Sequence, residues 1–136
     1  MTPLEEDSPA PTPSVDTFTA RLPDMVDDIG HLVRCESPSS DLAAVAAGAA
    51  EVAALGRRLL GVEAETLVVD GCTHLRWRLG DGDRPRVLLL CHQDTVWPIG
   101  SLTTHPFSVN DGVLRGPGSF DMKTGVVMVK DRKSVV

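Results

Sequence analysis

The stretch 87-VLLLCHQDTVWPIG-100 decides how the chain folds. Four aliphatic residues run straight into Cys91-His92-Gln93-Asp94, without the solvated turn residues that normally close a buried strand. An unbroken aliphatic run lacks the alternation of a half-solvated strand, so 86–91 reads as a central strand covered on both faces. Residues two apart in an extended chain point the same way. His92 and Asp94 therefore share one side, and Cys91 and Gln93 face the other. A metal-bound imidazole usually gives its second N–H to a carboxylate, which fixes the tautomer, and this pair has the right residue types for that. Ligands in open α/β sheets also gather at the carboxyl ends of strands. The plainer alternative is a histidine and an aspartate that only cap a strand, and for His-x-Asp alone it is the commoner case.

Upstream of this strand the texture is helical, then β. Residues 1–14 are rich in Pro, Ser, Thr and acids and read as a disordered or loosely docked tail. Met25, Val26, Ile29, Leu32 and Val33 recur at helical spacing and predict a helix over 23–35, with Pro23 in its first turn. Pro38 disfavours helical geometry at Ser37, which ends that helix near Glu36. A second helix is expected from an N-cap at Ser40 or Asp41 to about Leu60. Its apolar stripe is Leu42, Val45, Ala49, Val52 and Leu59, and Gly61 terminates it. Residues 63–69 and 73–79 alternate around Asp70-Gly71 and predict a hairpin. Helix, helix, hairpin, central strand is an α/β order.

Composition narrows the function classes. A formal net charge of −6 argues against non-specific nucleic-acid binding, which needs clustered Lys and Arg. No apolar run has the length of a membrane span, so no membrane partner is expected. The opening MTPLEEDSPAPTPSVD lacks the basic start and apolar core of a secretory signal, which points to a cytoplasmic protein. Cys35, Cys72 and Cys91 show no metal-ligand spacing and read as reduced cysteines.

A second block, 116-GPGSFDMKTG-125, raises the stakes for His92. Gly116, Gly118 and Gly125 surround Asp121 and Lys123, and Pro117 stiffens one turn. Glycine allows close backbone approach and positive φ, so the loop looks built to present Asp121 tightly. The alternative is an exposed turn before a helix whose first turn carries an acid, a favoured place for one. Two protein ligands do not close a zinc site, which takes three or four.

The pair 92-HQDTV-96 and 116-GPGSFDMKTG-125 resembles the two signature blocks of the dinuclear zinc exopeptidase and amidohydrolase family. That family includes acetylornithine deacetylase, succinyl-diaminopimelate desuccinylase, aminoacylase and bacterial glutamate carboxypeptidase. The segments 32-LVRCESPSSD-41 and 106-PFSVNDGVLRGPG-118 are most similar to the glutamate carboxypeptidase branch, and the likeness spans roughly residues 20–130. Thr124 departs from the small residue the family often carries there, but it is not a ligand position.

The resemblance implies an α/β fold: 15–130 as the N-terminal part of a three-layer α/β/α zinc-peptidase catalytic domain with a mixed central sheet, truncated. It implies that His92 binds one zinc, that Asp94 orients His92 as a catalytic residue, and that Asp121 bridges two zincs. Zn2+ would be the cofactor, two per complete site, with Co2+ a possible substitute. The substrate would be a peptide or an N-acyl amino acid. A homodimer is expected for the full-length parent, through a domain absent here. The family's Glu-Glu pair, a further acidic ligand and a distal histidine lie downstream of the Asp121 block, so the chain is expected to be an inactive fragment. The charges of 131-DRKSVV-136 break the apolar pattern of 123-KTGVVMVK-130, and 131–136 is expected to be a non-native tail. A non-catalytic metal-binding or interaction module is the alternative function. Trp97 and His105 lie between the blocks and read as loop-packing residues before substrate contacts; His31 and His74 read as structural.

Overall fold

The computed structural model describes residues 14–80 and 87–131. Helix α1 spans Val15–Arg34, so it begins well before the start expected at 23. Ser14 is the reason. Its hydroxyl accepts from the Thr17 N–H at 3.3 Å, and Asp16 in the first turn complements the helix dipole. Pro23 lies inside the helix and withholds one N–H. It and Thr19, four residues back, are both exposed, so the carbonyl left without its helical donor is on the solvent side of the helix and not in the core.

Helix α2 spans Leu42–Leu60 between the two signals read in the sequence. The Asp41 carboxylate accepts from the Ala44 N–H at 3.0 Å, and Gly61 closes the helix in a left-handed conformation. Val45, Ala49 and Val52 are buried as expected; Leu55 joins them, whereas Leu42 is exposed. Strands β1 (Glu65–Val69) and β2 (Cys72–Arg76) pair antiparallel with Val69 opposite Cys72. Asp70 and Gly71 form the two-residue loop with φ of 50° and 80°, the double positive φ of a type I′ turn. Trp77 then lays its ring on Gly56 of α2 and donates to the Val62 carbonyl at 3.2 Å, joining hairpin to helix.

A second hairpin, β3 (Ser108–Asn110) and β4 (Val113–Arg115), precedes an irregular turn, Ser119–Lys123, and helix α3 (Thr124–Asp131). The core forms where the three helices meet: Ile29, Leu32 and Val33 of α1, Val52 and Leu55 of α2, and Val126 and Val127 of α3. The described residues thus make a mixed fold of three α-helices and two small antiparallel sheets, broadly α/β. None of their helices is long and apolar enough to cross a membrane.

Two expectations are corrected. The run 87–91 forms no strand, and no mixed central sheet exists among the described residues. Each hairpin pairs only with itself, so no ladder partner reaches the run, and Val87 through Leu90 stand exposed. Residue 86 lies outside the described residues. Asp131, assigned to the tail, is instead the buried last residue of α3 and pairs with Arg21 of α1. The remaining residues of both expected tails, 1–13 and 132–136, lie outside the described residues.

Candidate functional site

The segment 93–95 is clamped by the loop that follows α1. Pro38 bridges Thr95 in parallel fashion: Thr95 N–H donates to the Ser37 carbonyl and Ser39 N–H to the Thr95 carbonyl, both at 2.9 Å. The buried Ser37 hydroxyl donates to the Gln93 carbonyl at 3.0 Å. The Gln93 amide reaches the other way and donates to the Val45 carbonyl of α2 at 2.9 Å. This is the alternation anticipated from the sequence: Gln93 anchors inward, and His92 and Asp94 project together into a shared cavity.

The second wall is 116–123. Gly118 adopts φ of 71°, and a Cβ there would collide with the Thr95 methyl group, so only glycine lets the loop lie against the clamped segment. Lys123 N–H closes the turn onto the Gly118 carbonyl at 3.0 Å. Within the turn Asp121 and Met122 leave helical geometry, with φ of −123° and −135°, and the peptide between them is cis. Lys123 is the anchor. Its buried ammonium donates to the Leu32 and Cys35 carbonyls, both at 2.8 Å, satisfying carbonyls that the end of α1 leaves without helical partners. Burial lowers the Lys123 pKa, and the negative ends of these dipoles hold the charge in place.

The two walls bring His92 and Asp121 together. His92 Nε2 lies 2.9 Å from Asp121 Oδ1, and Nδ1 lies 2.9 Å from the Asp94 backbone carbonyl. The Asp94 carboxylate was expected to hold the imidazole; it stands 3.7 Å from Nδ1, beyond hydrogen-bond range. Ser39 explains the difference, because its hydroxyl donates to Asp94 Oδ2 at 2.6 Å and turns the carboxylate aside. Asp94 therefore contacts His92 through its main chain.

These contacts dictate the protonation of the ring. A backbone carbonyl only accepts, so Nδ1 carries a proton. A neutral ring would then aim the bare lone pair of Nε2 at a carboxylate oxygen, which also only accepts. The 2.9 Å approach needs a positive centre: a second proton on the imidazole, or a cation shared by Nε2 and Oδ1. Burial alone pulls the His92 pKa down, but the bonds to the Asp94 carbonyl and to Asp121 outweigh it and leave the pKa raised. A nitrogen and an oxygen each about 2.0–2.1 Å from a tetrahedral zinc would lie roughly 3.3 Å apart, so the exposed Asp121 needs to retreat only a few tenths of an ångström. The donor pair fits a metal ion, although no group of three His, Cys, Asp or Glu side chains converges among the described residues.

The pair opens onto a cavity of about 300 Å³, lined also by Ser39, Asp94, Trp97 and Phe120. Phe120 is 98% exposed, an apolar ring beside a polar centre. Trp97 packs on His105 with ring centroids 5.0 Å apart. His31 pairs with Glu51 at 2.6 Å on the helical surface, and His74 is exposed on β2; neither joins the site.

Two contributors escaped the sequence reading, Ser39 and Lys123. Each had a faint signal. Ser37 and Ser39 flank Pro38 in an extended dipeptide, which sends both hydroxyls to one side. Lys123 stands at i to Val126, Val127 and Lys130 at i+3, i+4 and i+7, so it occupies the buried stripe of the helix. Compared with known proteins, the chain matches no family model and no curated protein.

Proposed function

We propose that the chain carries part of the active site of a zinc-dependent hydrolase of amide or peptide bonds, of the carboxypeptidase or N-acyl-amino-acid deacylase type. On this reading it is the N-terminal part of a three-layer α/β/α catalytic domain. The observation that carries the reading is the 2.9 Å approach of His92 Nε2 and Asp121 Oδ1, which a shared cation would satisfy as a second proton on the imidazole does. His92 and Asp121 would hold the metal, Asp121 using its second oxygen toward a second ion. Asp94 fixes the imidazole through its carbonyl, and Ser39 steadies Asp94. Zinc, when bound, supplies Lewis acidity toward a scissile carbonyl and a water nucleophile at neutral pH. The substrate would enter beside Trp97 and Phe120, which line the same cavity as the pair. Three unpaired cysteines suit a reducing, cytoplasmic setting.

A non-catalytic metal-binding module remains the second reading, favoured by the convergence of only two ligands among the described residues. With two ligands where catalysis takes about three, the chain on its own should be silent on dipeptides and acyl amino acids. Calorimetric titration of the metal-free chain with Zn2+, and with Co2+ as a spectroscopic substitute, tests the shared premise. Weak binding should vanish in His92→Ala and Asp121→Ala. Asp94→Asn should weaken it toward the lower end of the 10–100-fold range typical of residues that orient a ligand, about tenfold, because the carbonyl contact survives. Unchanged affinity and stoichiometry in His92→Ala would sink both readings. Zinc-dependent turnover by this chain alone would overturn the expectation that it is inactive.

A further inference from the structure

The clamp that holds 93–95 stops short of His92. Ser37 and Ser39 bond Gln93 and Thr95, and residues 87–91 on the other side have no ladder partner among the described residues. His92 therefore sits at the seam between a fixed segment and an unsupported one. Its ring contacts the Asp94 carbonyl and Asp121, which orients the imidazole but does not hold the main chain that carries it. One contact does hold that main chain. The His92 N–H donates to the Met122 sulfur at 3.3 Å, across thirty residues of sequence. Met122 lies between Asp121, the other member of the pair, and Lys123, whose ammonium is bound by the end of α1. Its side chain packs against the buried cluster of the three helices. Gly125 leaves room for it, because a Cβ there would come within 3.0 Å of the Met122 methyl group. Met122 is not among the described residues that line the His92–Asp121 cavity, so it acts from behind the pair.

We propose that Met122 is a positioning residue: its sulfur ties the His92 main chain to the Asp121 turn and so sets the 2.9 Å approach of His92 Nε2 to Asp121 Oδ1. A thioether is a weak acceptor, but a backbone donor without a ladder partner gains from any acceptor it is offered. Methionine suits the place on two counts. Its unbranched stem fills an irregular gap in apolar packing, and its sulfur still accepts a proton. Leucine, of nearly the same volume, would fill the gap and leave the His92 N–H without this partner. The His92 main chain could then drift from the turn, and the pair would lose its fixed spacing. The tie between the two walls stands on the contact itself; its effect on a metal rests on the proposed hydrolase.

The test compares the full chain with Met122→Leu and with a chain carrying norleucine for methionine, which exchanges each sulfur for a methylene and keeps the shape. Amide hydrogen exchange is read at single residues by mass spectrometry with electron-transfer fragmentation. The Thr95 N–H, bonded to the Ser37 carbonyl at 2.9 Å, is the internal reference. Exchange at His92 should quicken about fivefold in both altered chains, the scale of one modest hydrogen bond, while Thr95 stays unchanged. Unchanged exchange at His92 would overturn the proposal, because the sulfur would then hold nothing. Equal quickening at Thr95 would also overturn it, because the substitution would then only loosen the fold. Zinc titration of the same samples should show affinity lower by about tenfold in both, the lower end of what residues behind a metal ligand contribute. A parent that binds zinc, with affinity undiminished in both altered chains, would remove the positioning role. The two readings fail separately. A parent that binds no zinc, with His92 exchange quickened as stated, removes the hydrolase reading and supports the tie; zinc binding with His92 exchange unmoved does the reverse.

Discussion

Two aliphatic runs in this chain meet opposite fates. Val126 and Val127 of α3 are 2% and 0% exposed, packed into the faces of α1 and α2. Val87, Leu88 and Leu90 are 84%, 83% and 84% exposed. The residues are chemically alike, so hydrophobicity does not separate them. Backbone bonding does. A helix satisfies its N–H and C=O groups within its own segment and needs only one face covered. A strand of the 87–90 kind needs ladder partners at both edges and cover on both faces, and all four must come from elsewhere. Here both hairpins spend their inner edges on themselves.

The largest expected effect tests the covered run. Leu55 of α2 lies in the same buried cluster as Val126 and Val127, and Leu55→Ala should cost roughly 2–5 kcal/mol of unfolding free energy. Urea denaturation followed by circular dichroism reads it. A cost below about 1 kcal/mol would mean that the three-helix contact is not the cooperative core and that the contrast between the runs is hollow.

Next comes Lys123, which ties the covered run to the candidate site. Lys123→Met keeps the apolar stem but strips the Leu32 and Cys35 carbonyls of their donor, at roughly 1.5–3 kcal/mol. Because the Lys123 ammonium ties the turn carrying Asp121 to the end of α1, zinc affinity should fall in the fraction that remains folded. A loss of stability with zinc binding intact would show that the ammonium holds α1 and not the loop.

Much of the covered region was legible because its signals are local. Asp41 and Gly61 bracket α2, and Asp70-Gly71 marks the first hairpin; each acts through neighbours within four residues. The start of α1 misled because Pro23 resembles a first-turn proline, while the real cap, Ser14, sits inside a stretch that reads as a polar tail. The strand at 86–91 misled for the converse reason: its pattern states what it needs, and no pattern within the run supplies it. The site divides the same way. His92 and Asp121 were visible as motif residues, and the chain does bring them together. Ser39 and Lys123 act across more than fifty residues of sequence, where spacing carries no information.

A smaller effect follows from Lys130, on the covered run with its ammonium 4.1 Å from the Trp77 ring centre. Burial pushes its pKa down to about 8, against a smaller opposing pull from Cys91. In the unfolded chain a lysine keeps its proton to about pH 10.4. Between these values the unfolded state binds more protons, so stability should rise with pH. Lys123 adds the same sign, and the Cys35 thiol, pushed up by burial, takes the opposite sign above about pH 8.5. The cation–π contact offsets part of the burial cost, which leaves a rise on the order of 1–2 kcal/mol. Urea midpoints taken through this window should climb in the parent and climb less in Lys130→Met, where Lys123 alone still contributes a rise. A flat parent profile would place the ammonium in solvent.

The smallest change in stability should come from the bare run, and it is the sharpest test of the comparison. Leu88 and Leu90 touch nothing in the core cluster, so Leu88→Gln with Leu90→Gln should shift unfolding free energy by no more than about 0.5 kcal/mol. Association is where the pair should act. Four adjacent exposed aliphatics without ladder partners invite edge-to-edge pairing with other chains. Sedimentation velocity across a concentration series should show the parent self-associating and the double variant monomeric. Unchanged association would mean that Trp97, Phe120 or another exposed apolar residue is the sticky surface. A stability loss above about 2 kcal/mol in the variant would be more damaging, because that is the cost of disturbing a buried site. It would mean that 87–90 is covered in solution by part of the chain outside the described residues, and that the two runs do not differ after all.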